Sequence, residues 1–443
     1  MKITSLAVRD IRFPTSQSLD GSDAMHRSPD YSCAYVVLRT DSDDGLAGCG
    51  LTFTTGRGTE VVVSAVRALE HLVVGRTLEE LTSDMRSFWR SLASEDQLRW
   101  LGPEKGVIHL ATAAVVNAVW DLWAKTEKRP LYRLLVELEP EQIVAAIDFR
   151  YIEDALSQNE ALDLLQAMRR GRTKRLAEVE QHGYPAYTTS AGWLGYDDDK
   201  VATLVRRAVD AGFRHVKMKV GRDLESDARR AALIRETLGA TGFLMMDANQ
   251  CWGVDEAISA MSILGRFEPW WIEEPTSPDD ILGHARIRRE IAPIRVATGE
   301  HVQNRVIFKQ LFQAGAIDVC QLDACRIGGV NEALAVLLLA AKFGVPVCPH
   351  AGGVGLCEYV QHLAMFDYIA VSGSLDDRVV EWVDHLHEHF HDPAVVREGV
   401  YLAPRAAGYS IEMLPESLDR FEFPGGEHWV AALLQEAHRP IRE

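Results

Sequence analysis

Paired cysteines, nucleotide-binding loops and an excess of positive charge are all missing from this 443-residue sequence, and each absence removes a class of function. The seven cysteines (33, 49, 251, 320, 325, 348 and 357) are odd in number, scattered and free of any CxxC pair, so they describe neither a disulfide framework nor a zinc ribbon. A reducing compartment suits them. No complete GxGxxG is present, nor GxxxxGK followed by Ser or Thr, which leaves nucleotide cofactors without a phosphate cradle. Lys and Arg number 47 against 64 Asp and Glu, a net charge of −17. Such a chain repels phosphate backbones and anionic lipid surfaces, so neither nucleic acid nor a membrane is an expected partner. The longest apolar run, residues 333–341, is far shorter than the roughly 20 residues that cross a bilayer. Residues 1–13 alternate apolar and charged side chains and show no basic start followed by an apolar stretch. No secretory signal is read there, and the cytoplasm is the expected location.

What is present is the composition of a folded protein: 47% hydrophobic and 25% charged residues, enough to exclude disorder and supply a large core. Residues 3–13 read as a strand. Residues 14–31, rich in Ser, Asp, Gly and Pro and without periodicity, read as a long loop of the kind that closes over ligands. Runs 34–39 and 46–54 flank Asp43-Asp44-Gly45 and predict an antiparallel hairpin. Helical spacing follows over 58–74 and 105–125, so residues 1–140 form an expected α+β domain. Over 185–392 short apolar strands alternate with amphipathic helices such as 199–211 and 331–343. Strands are predicted at 185–189, 215–220, 243–248, 270–275, 295–299, 318–323, 346–349 and 368–371. Eight such units predict a closed parallel β/α barrel, with a doubly wound open sheet as the alternative. Residues 393–443 form a tail expected to return to the first domain.

One polar side chain recurs at the carboxyl end of nearly every predicted barrel strand: Lys219, Asp247, Glu273, Glu300, Asp323, His350 and Glu381, at intervals of 28, 26, 27, 23, 27 and 31 residues. In a closed barrel these ends converge on the face that carries active sites. Strands of a buried parallel sheet are normally near-continuous apolar runs, so a repeated ionisable terminus demands a reason beyond helix capping or surface exposure. Asp247, Glu273 and Glu300 on adjacent strands would repel unless a cation neutralises them. All-oxygen ligands without thiolate suit a hard ion, Mg²⁺ above all. Lys217 and Lys219 alternate along one strand and face the same side, each expected to lower the other's pKa and leave a base near neutral pH. His350 follows Asp323 by one β/α unit, which allows a carboxylate–imidazole pair to serve as a second acid or base. A metal flanked by two proton-transfer groups fits abstraction of a proton alpha to a carboxylate.

These residues, together with DFRYI from Asp148, YPAYTTSAGWLGY from Tyr184, WIEEPTSPDD from Trp271, PHAGGVGLCE from Pro349 and QLRWLGPEKG in the first domain, resemble the enolase superfamily, in its mandelate racemase-like subgroup and most of all the L-fuconate dehydratases. The resemblance covers nearly the whole chain. It implies a modified barrel, (β/α)7β, under an α+β capping domain, and Mg²⁺-dependent dehydration of L-fuconate to 2-keto-3-deoxy-L-fuconate. It also implies roles: Asp247, Glu273 and Glu300 as metal ligands, Lys219 as the C2 base, Lys217 as its partner and a substrate contact, and His350 with Asp323 as the acid expelling the C3 hydroxyl. Gly21, Ser22, Asp23, Tyr31, Asn249 and Glu381 would contact the substrate. A homo-oligomer is expected, and mitochondria become the alternative location. Cys251 departs from the pattern, since relatives carry Arg after DANQ. Other acid sugars, a hydroxy-acid racemase or epimerase, and a sugar-acid binding protein are the competing readings.

Two further features invite blander readings. The run His385, His387, His389 and His391 reads as a solvated helix end before a metal site, because only residues about four apart share a helix face. Gly352, Gly353 and Gly355 lack an accompanying basic residue and read as a tight turn letting the backbone approach a ligand.

Overall fold

The computed structural model describes residues 1–437. Strands β1 (Ile3–Arg12), β2 (Ser32–Thr40) and β3 (Ala47–Thr54) form an antiparallel sheet in that order, and the β2–β3 hairpin turns at the predicted Asp-Asp-Gly, with Gly45 at φ +71°. The helix Gly106–Thr126 lies across β3 at a distance that only glycine permits: a Cβ on Gly50 would stand 2.2 Å from Ala114 O. By length and composition this helix could cross a membrane, yet 89% of its most apolar stretch is buried within the protein. Its polar residues reach the barrel, with Trp120 Nε1 donating to Asn331 Oδ1 (2.7 Å) and Asn117 Nδ2 to Ala324 O (3.1 Å).

The second unit is a closed ring of parallel strands: β4 (Tyr184–Thr188), β5 (His215–Lys219), β6 (Phe243–Asp247), β7 (Trp271–Glu273), β8 (Arg295–Thr298) and β9 (Val319–Cys320). Residues 346–350 take the next place, through a bridge between Val347 and Cys320 and the His350 N–H on Leu322 O (3.1 Å). β10 (Val380–Trp382) then pairs with β4 and closes the ring. Seven helices, from Asp198–Asp210 to Leu356–Phe366, connect successive strands, so the barrel is (β/α)7β.

One expectation fails. Residues 368–371 are no strand; they extend the helix Leu356–Phe366 as the π-helical turn Asp367–Ser372, stopped at Gly373 with φ +67°. An apolar run of four reads the same for a buried strand and a buried helix, and here the buried Asp367, bonded to Arg378 Nε at 3.1 Å, belongs to the helix. The eighth strand is β10, which carries Glu381.

Beyond β10, strands β11 (Val396–Arg397) and β12 (Val400–Tyr401) form a hairpin antiparallel to the start of β4. The chain then runs to the first sheet. Tyr35 OH accepts the Met413 N–H (2.9 Å), Phe423 N–H donates to Asp10 O (2.8 Å), and Arg9 pairs with Asp419 and Glu422.

Candidate active site and metal centre

Register builds the site. Lys219 pairs laterally with Asp247, and Asp247 with Glu273, so three ionisable residues stand side by side on adjacent strands, while Glu300 follows β8 by two residues. One carboxylate oxygen from each of Asp247, Glu273 and Glu300 lies within 4.8 Å of the other two. All three are buried, and Glu300 Oε2 has no hydrogen-bond partner among the described residues. Burial and the neighbouring Asp247 carboxylate push the Glu273 pKa up. A buried cluster of hard oxygens, with an orphaned carboxylate oxygen on Glu300, fits Mg²⁺ well.

The two lysines lean into this cluster. Lys217 Nζ contacts Glu273 Oε1 (2.6 Å) and Glu381 Oε1 (2.8 Å), and Lys219 Nζ contacts Asp247 Oδ2 (2.5 Å). The expected mutual lowering of their pKa values is therefore reversed. Burial opposes protonation of both, and the Lys217 charge opposes that of Lys219, but the facing carboxylates outweigh these and raise both lysines above their ordinary value. Gln321 Nε2 donates to Glu273 Oε2 (2.6 Å), a contact the sequence reading missed; its signal was the two-residue spacing to Asp323, which puts both on one strand face.

Across the ring, His350 Nδ1 lies 2.8 Å from Asp323 Oδ2, while Asp323 Oδ1 accepts the N–H groups of Cys325 (2.8 Å) and Arg326 (2.7 Å). The other ring nitrogen, Nε2, meets Glu300 Oε2 at 3.4 Å and the Gly352 N–H at 3.1 Å. A neutral imidazole thus keeps its proton on Nδ1 toward Asp323. Burial opposes a second proton, but Glu300, Asp323 and Glu381 overcome it and push His350 up to about 10. Glu381 Oε2 also accepts the Ala351 N–H (2.8 Å).

A cavity of about 280 Å³ opens above these groups. Gly21, Asp23, Tyr31, Trp193, Lys219, Asn249, Glu300, Asp323, His350 and Glu381 are among the residues that line it, with Phe53, Val62, Val107 and Leu110 of the first domain opposite. Two of the predicted contacts sit elsewhere. Lys217 is sealed beneath the floor, and Ser22 faces sideways, its Oγ accepting the Gly195 N–H (2.9 Å) and its carbonyl the Leu194 N–H (3.0 Å). Beside the cluster, Asn249, Gln250 and Glu274 hold φ of +45°, +66° and +43°, strain of the kind stored at functional sites. Glu274 Oε1 meets His301 Nδ1 at 3.0 Å, and Gln250 Nε2 donates to Glu274 Oε2 (2.8 Å). Cys251 Sγ rests 3.6 Å from Gly221 O.

The histidine run gathers no site and is no solvated helix end. His387 bonds Glu358 (2.7 Å) and stacks on Trp382, while His389 bonds Ser417 (2.9 Å) and stacks on Phe13. The glycines allow close packing: a Cβ on Gly353 would stand 2.7 Å from Phe53 of the cap, and one on Gly352 2.8 Å from His350 Nε2.

A barrel whose strand ends carry this set, roofed by an α+β domain, defines the class: the chain belongs to the enolase superfamily. The mandelate racemase / muconate lactonizing enzyme N-terminal domain matches residues 24–135 and the enolase C-terminal domain-like family matches residues 200–417. The chain is 56% identical over 434 residues to mitochondrial enolase superfamily member 1 of Homo sapiens, covering 98% of each. The crystal structure of that human protein matches with a TM-score of 0.97 over 98% of both chains. It is 55% identical over 434 residues to L-galactonate dehydratase of Hypocrea jecorina, covering 96% of each. A racemase from Streptomyces coelicolor with bound magnesium shares 27% identity at a TM-score of 0.72, covering 95% of this chain and 99% of that one.

Proposed function

We propose that this enolase-superfamily enzyme is an Mg²⁺-dependent acid-sugar dehydratase with L-fuconate as its leading substrate. The observation that carries the reading is that Lys219, Glu300 and His350 line one cavity, with Asp247 and Glu273 buried beside Glu300 to complete a three-carboxylate cluster. Asp247, Glu273 and Glu300 would hold Mg²⁺, whose positive charge would make ionising a carbon beside a carboxylate feasible. Lys219 takes the C2 proton; a cation on its partner Asp247 would weaken that ion pair and favour the neutral amine. Lys217 stays charged between Glu273 and Glu381, adding positive potential beneath the substrate carboxylate. His350, oriented by Asp323, delivers a proton from Nε2 to the departing C3 hydroxyl, which leaves as water. The enol then tautomerises to the 2-keto-3-deoxy acid.

L-Fuconate is L-galactonate without its C6 hydroxyl, so the name of the Hypocrea jecorina relative supports the same stereochemistry at the reacting carbons. On the cap side Phe53, Val62, Val107 and Leu110 offer apolar contact to a C6 methyl, beside the polar Thr54, Thr55 and Arg57 that line the same cavity. The reading includes assembly into a homo-oligomer. For location, the names of the vertebrate relatives favour mitochondria over the cytoplasm.

A panel of aldonic acids, with and without Mg²⁺ and followed by a carbonyl reagent, tests this. Metal-dependent ketone from L-fuconate above L-galactonate is expected, abolished by EDTA and restored by Mg²⁺. Preference for L-galactonate would correct the substrate. Deuterium uptake into recovered acid without water loss would favour the racemase reading, and tight binding without either would favour a binding protein.

A further inference from the structure

An arginine is buried directly behind the base. Arg230, on the helix Leu224–Leu238, is 3% exposed. Its Nη1 donates to Lys219 O (3.0 Å), and its Nη2 to Gly192 O (2.9 Å) and Trp193 O (3.0 Å). The first carbonyl ends β5; the other two belong to the loop after β4. That loop lies flat on β5, since a Cβ on Gly192 would stand 2.4 Å from Lys217 O. The Trp193 ring centre is 5.5 Å from Lys219 Nζ, and both side chains line the cavity. One turn earlier on the same helix, Asp227 Oδ2 accepts the Gly221 N–H (2.7 Å), fixing the residue at φ +102° where the chain leaves the strand.

Burying a guanidinium to bond three uncharged carbonyls is costly, and a neutral donor or water would satisfy them at lower cost. What only the planar fork provides is a fixed angle between the two chain segments it joins. We propose that Arg230 is a positioning residue for Lys219, locking the base's backbone and the indole beside its ammonium into one rigid unit. This rests on the reading of Lys219 as the base.

The same helix supplies a control. Arg235 donates to four carbonyls, Phe267 O (3.1 Å), Gly239 O (3.1 Å), Gly242 O (2.8 Å) and Glu268 O (3.1 Å), next to the amino end of β6 and so at the far end of the barrel from Lys219. A merely structural guanidinium cluster should behave alike at both places.

The test compares Arg230→Ala, Arg230→Lys and Arg235→Ala in the full chain. It reads thermal stability, Mg²⁺ affinity, kcat and KM, and the rate at which Lys219 is reductively methylated by formaldehyde with cyanoborohydride as hydride donor at one fixed pH, followed by peptide mass spectrometry. Arg230→Ala is expected to lower kcat by about 10- to 100-fold, the scale of a misplaced reacting group, with KM and Mg²⁺ affinity nearly unchanged and Lys219 methylation altered. Guanidinium ion, entering by the polar cleft of Asp197, Arg222, Asp223 and Arg229 that Arg230 also lines, should restore part of kcat where NaCl does not. Arg235→Ala should lose stability and keep kcat. Equal kcat losses at both positions, in proportion to lost stability, would overturn the proposal, as would unchanged Lys219 methylation. If Arg230→Ala does not fold, Arg230→Lys, which keeps the charge and loses the fork, carries the same comparison. If the wild type turns over no acid, the functional reading fails, and the methylation of Lys219 in Arg230→Lys against Arg235→Ala still decides the positioning role.

Discussion

Neighbouring charge governs the side chains of the proposed active site more than burial does. Burial alone would strip Lys217 of its proton, yet Glu273 and Glu381 together hold it charged; burial alone would neutralise His350, yet the carboxylates around it raise it to about 10. The site is therefore an ionic lattice in which each group depends on its partners. Lys219→Ala is expected to lower kcat at least about 10³-fold, within the range for loss of a proton-transfer group, while Mg²⁺ binding measured by calorimetry persists. Activity within tenfold of wild type would remove the base assignment. His350→Asn should separate the two steps: exchange of the C2 proton in D₂O, followed by NMR, continues while water loss falls about 10²- to 10⁴-fold. Loss of both together would place His350 in the first step.

Among the elements, those with an unambiguous period were legible and those without were not. The β2–β3 hairpin announces itself through Asp43-Asp44-Gly45, and the helix Gly106–Thr126 through sustained apolar spacing. The eighth barrel strand was misplaced because Tyr368 to Val371 is apolar throughout and carries no period, whereas the true strand, Val380–Trp382, is only three residues long. The seam between sheet and helix is closely packed at Gly48 and Gly50. Gly50→Ala, whose Cβ would meet Ala114 O at 2.2 Å and Ala118 Cβ at 3.0 Å, is expected to cost about 1–3 kcal/mol by overpacking. A lowered thermal midpoint with unchanged kcat per folded molecule is the expected result; an unchanged midpoint would mean the seam gives way.

Buried polar ties hold cap, barrel and tail together across the whole molecule. Arg305 joins Glu104 and Glu332 (2.9 Å each), and His109 pairs with Glu332. Elsewhere His362 takes the Tyr132 N–H on Nδ1 (3.2 Å) and meets Ser410 Oγ with Nε2 (3.0 Å), an arrangement that only the neutral ring satisfies. Burial lowers His362 to about 3. Burial opposes ionisation of Glu332, but His109 and Arg305 overcome it and lower Glu332 to about 2. In both cases the unfolded chain takes up the proton first as pH falls. The His362 contribution is complete above about 6.5 and fades toward 3; that of Glu332 is complete above about 4.5 and fades toward 2. The His362 contribution should therefore fall between pH 7 and 5, while His350, held above its ordinary value, contributes in the opposite sense. From pH 7 to pH 5 the urea midpoint of wild type should move further downward than that of His362→Gln, and equal movements would dismiss a His362 contribution.

The sequence by itself determined the ring of strand-end residues. A β/α unit has a nearly constant length and a strand alternates its faces, so Lys217, Lys219, Asp247, Glu273, Glu300, Asp323, His350 and Glu381 could be named from spacing and residue type. Tertiary structure alone decided what those residues meet. The insertion of Lys217 between Glu273 and Glu381, the support of Glu273 by Gln321, the clasp of Arg230 on Lys219 and Trp193, and the cap residues that line the cavity join residues up to several hundred positions apart. Local periodicity carries no record of such pairings, because they arise only when the barrel closes and the cap seats upon it.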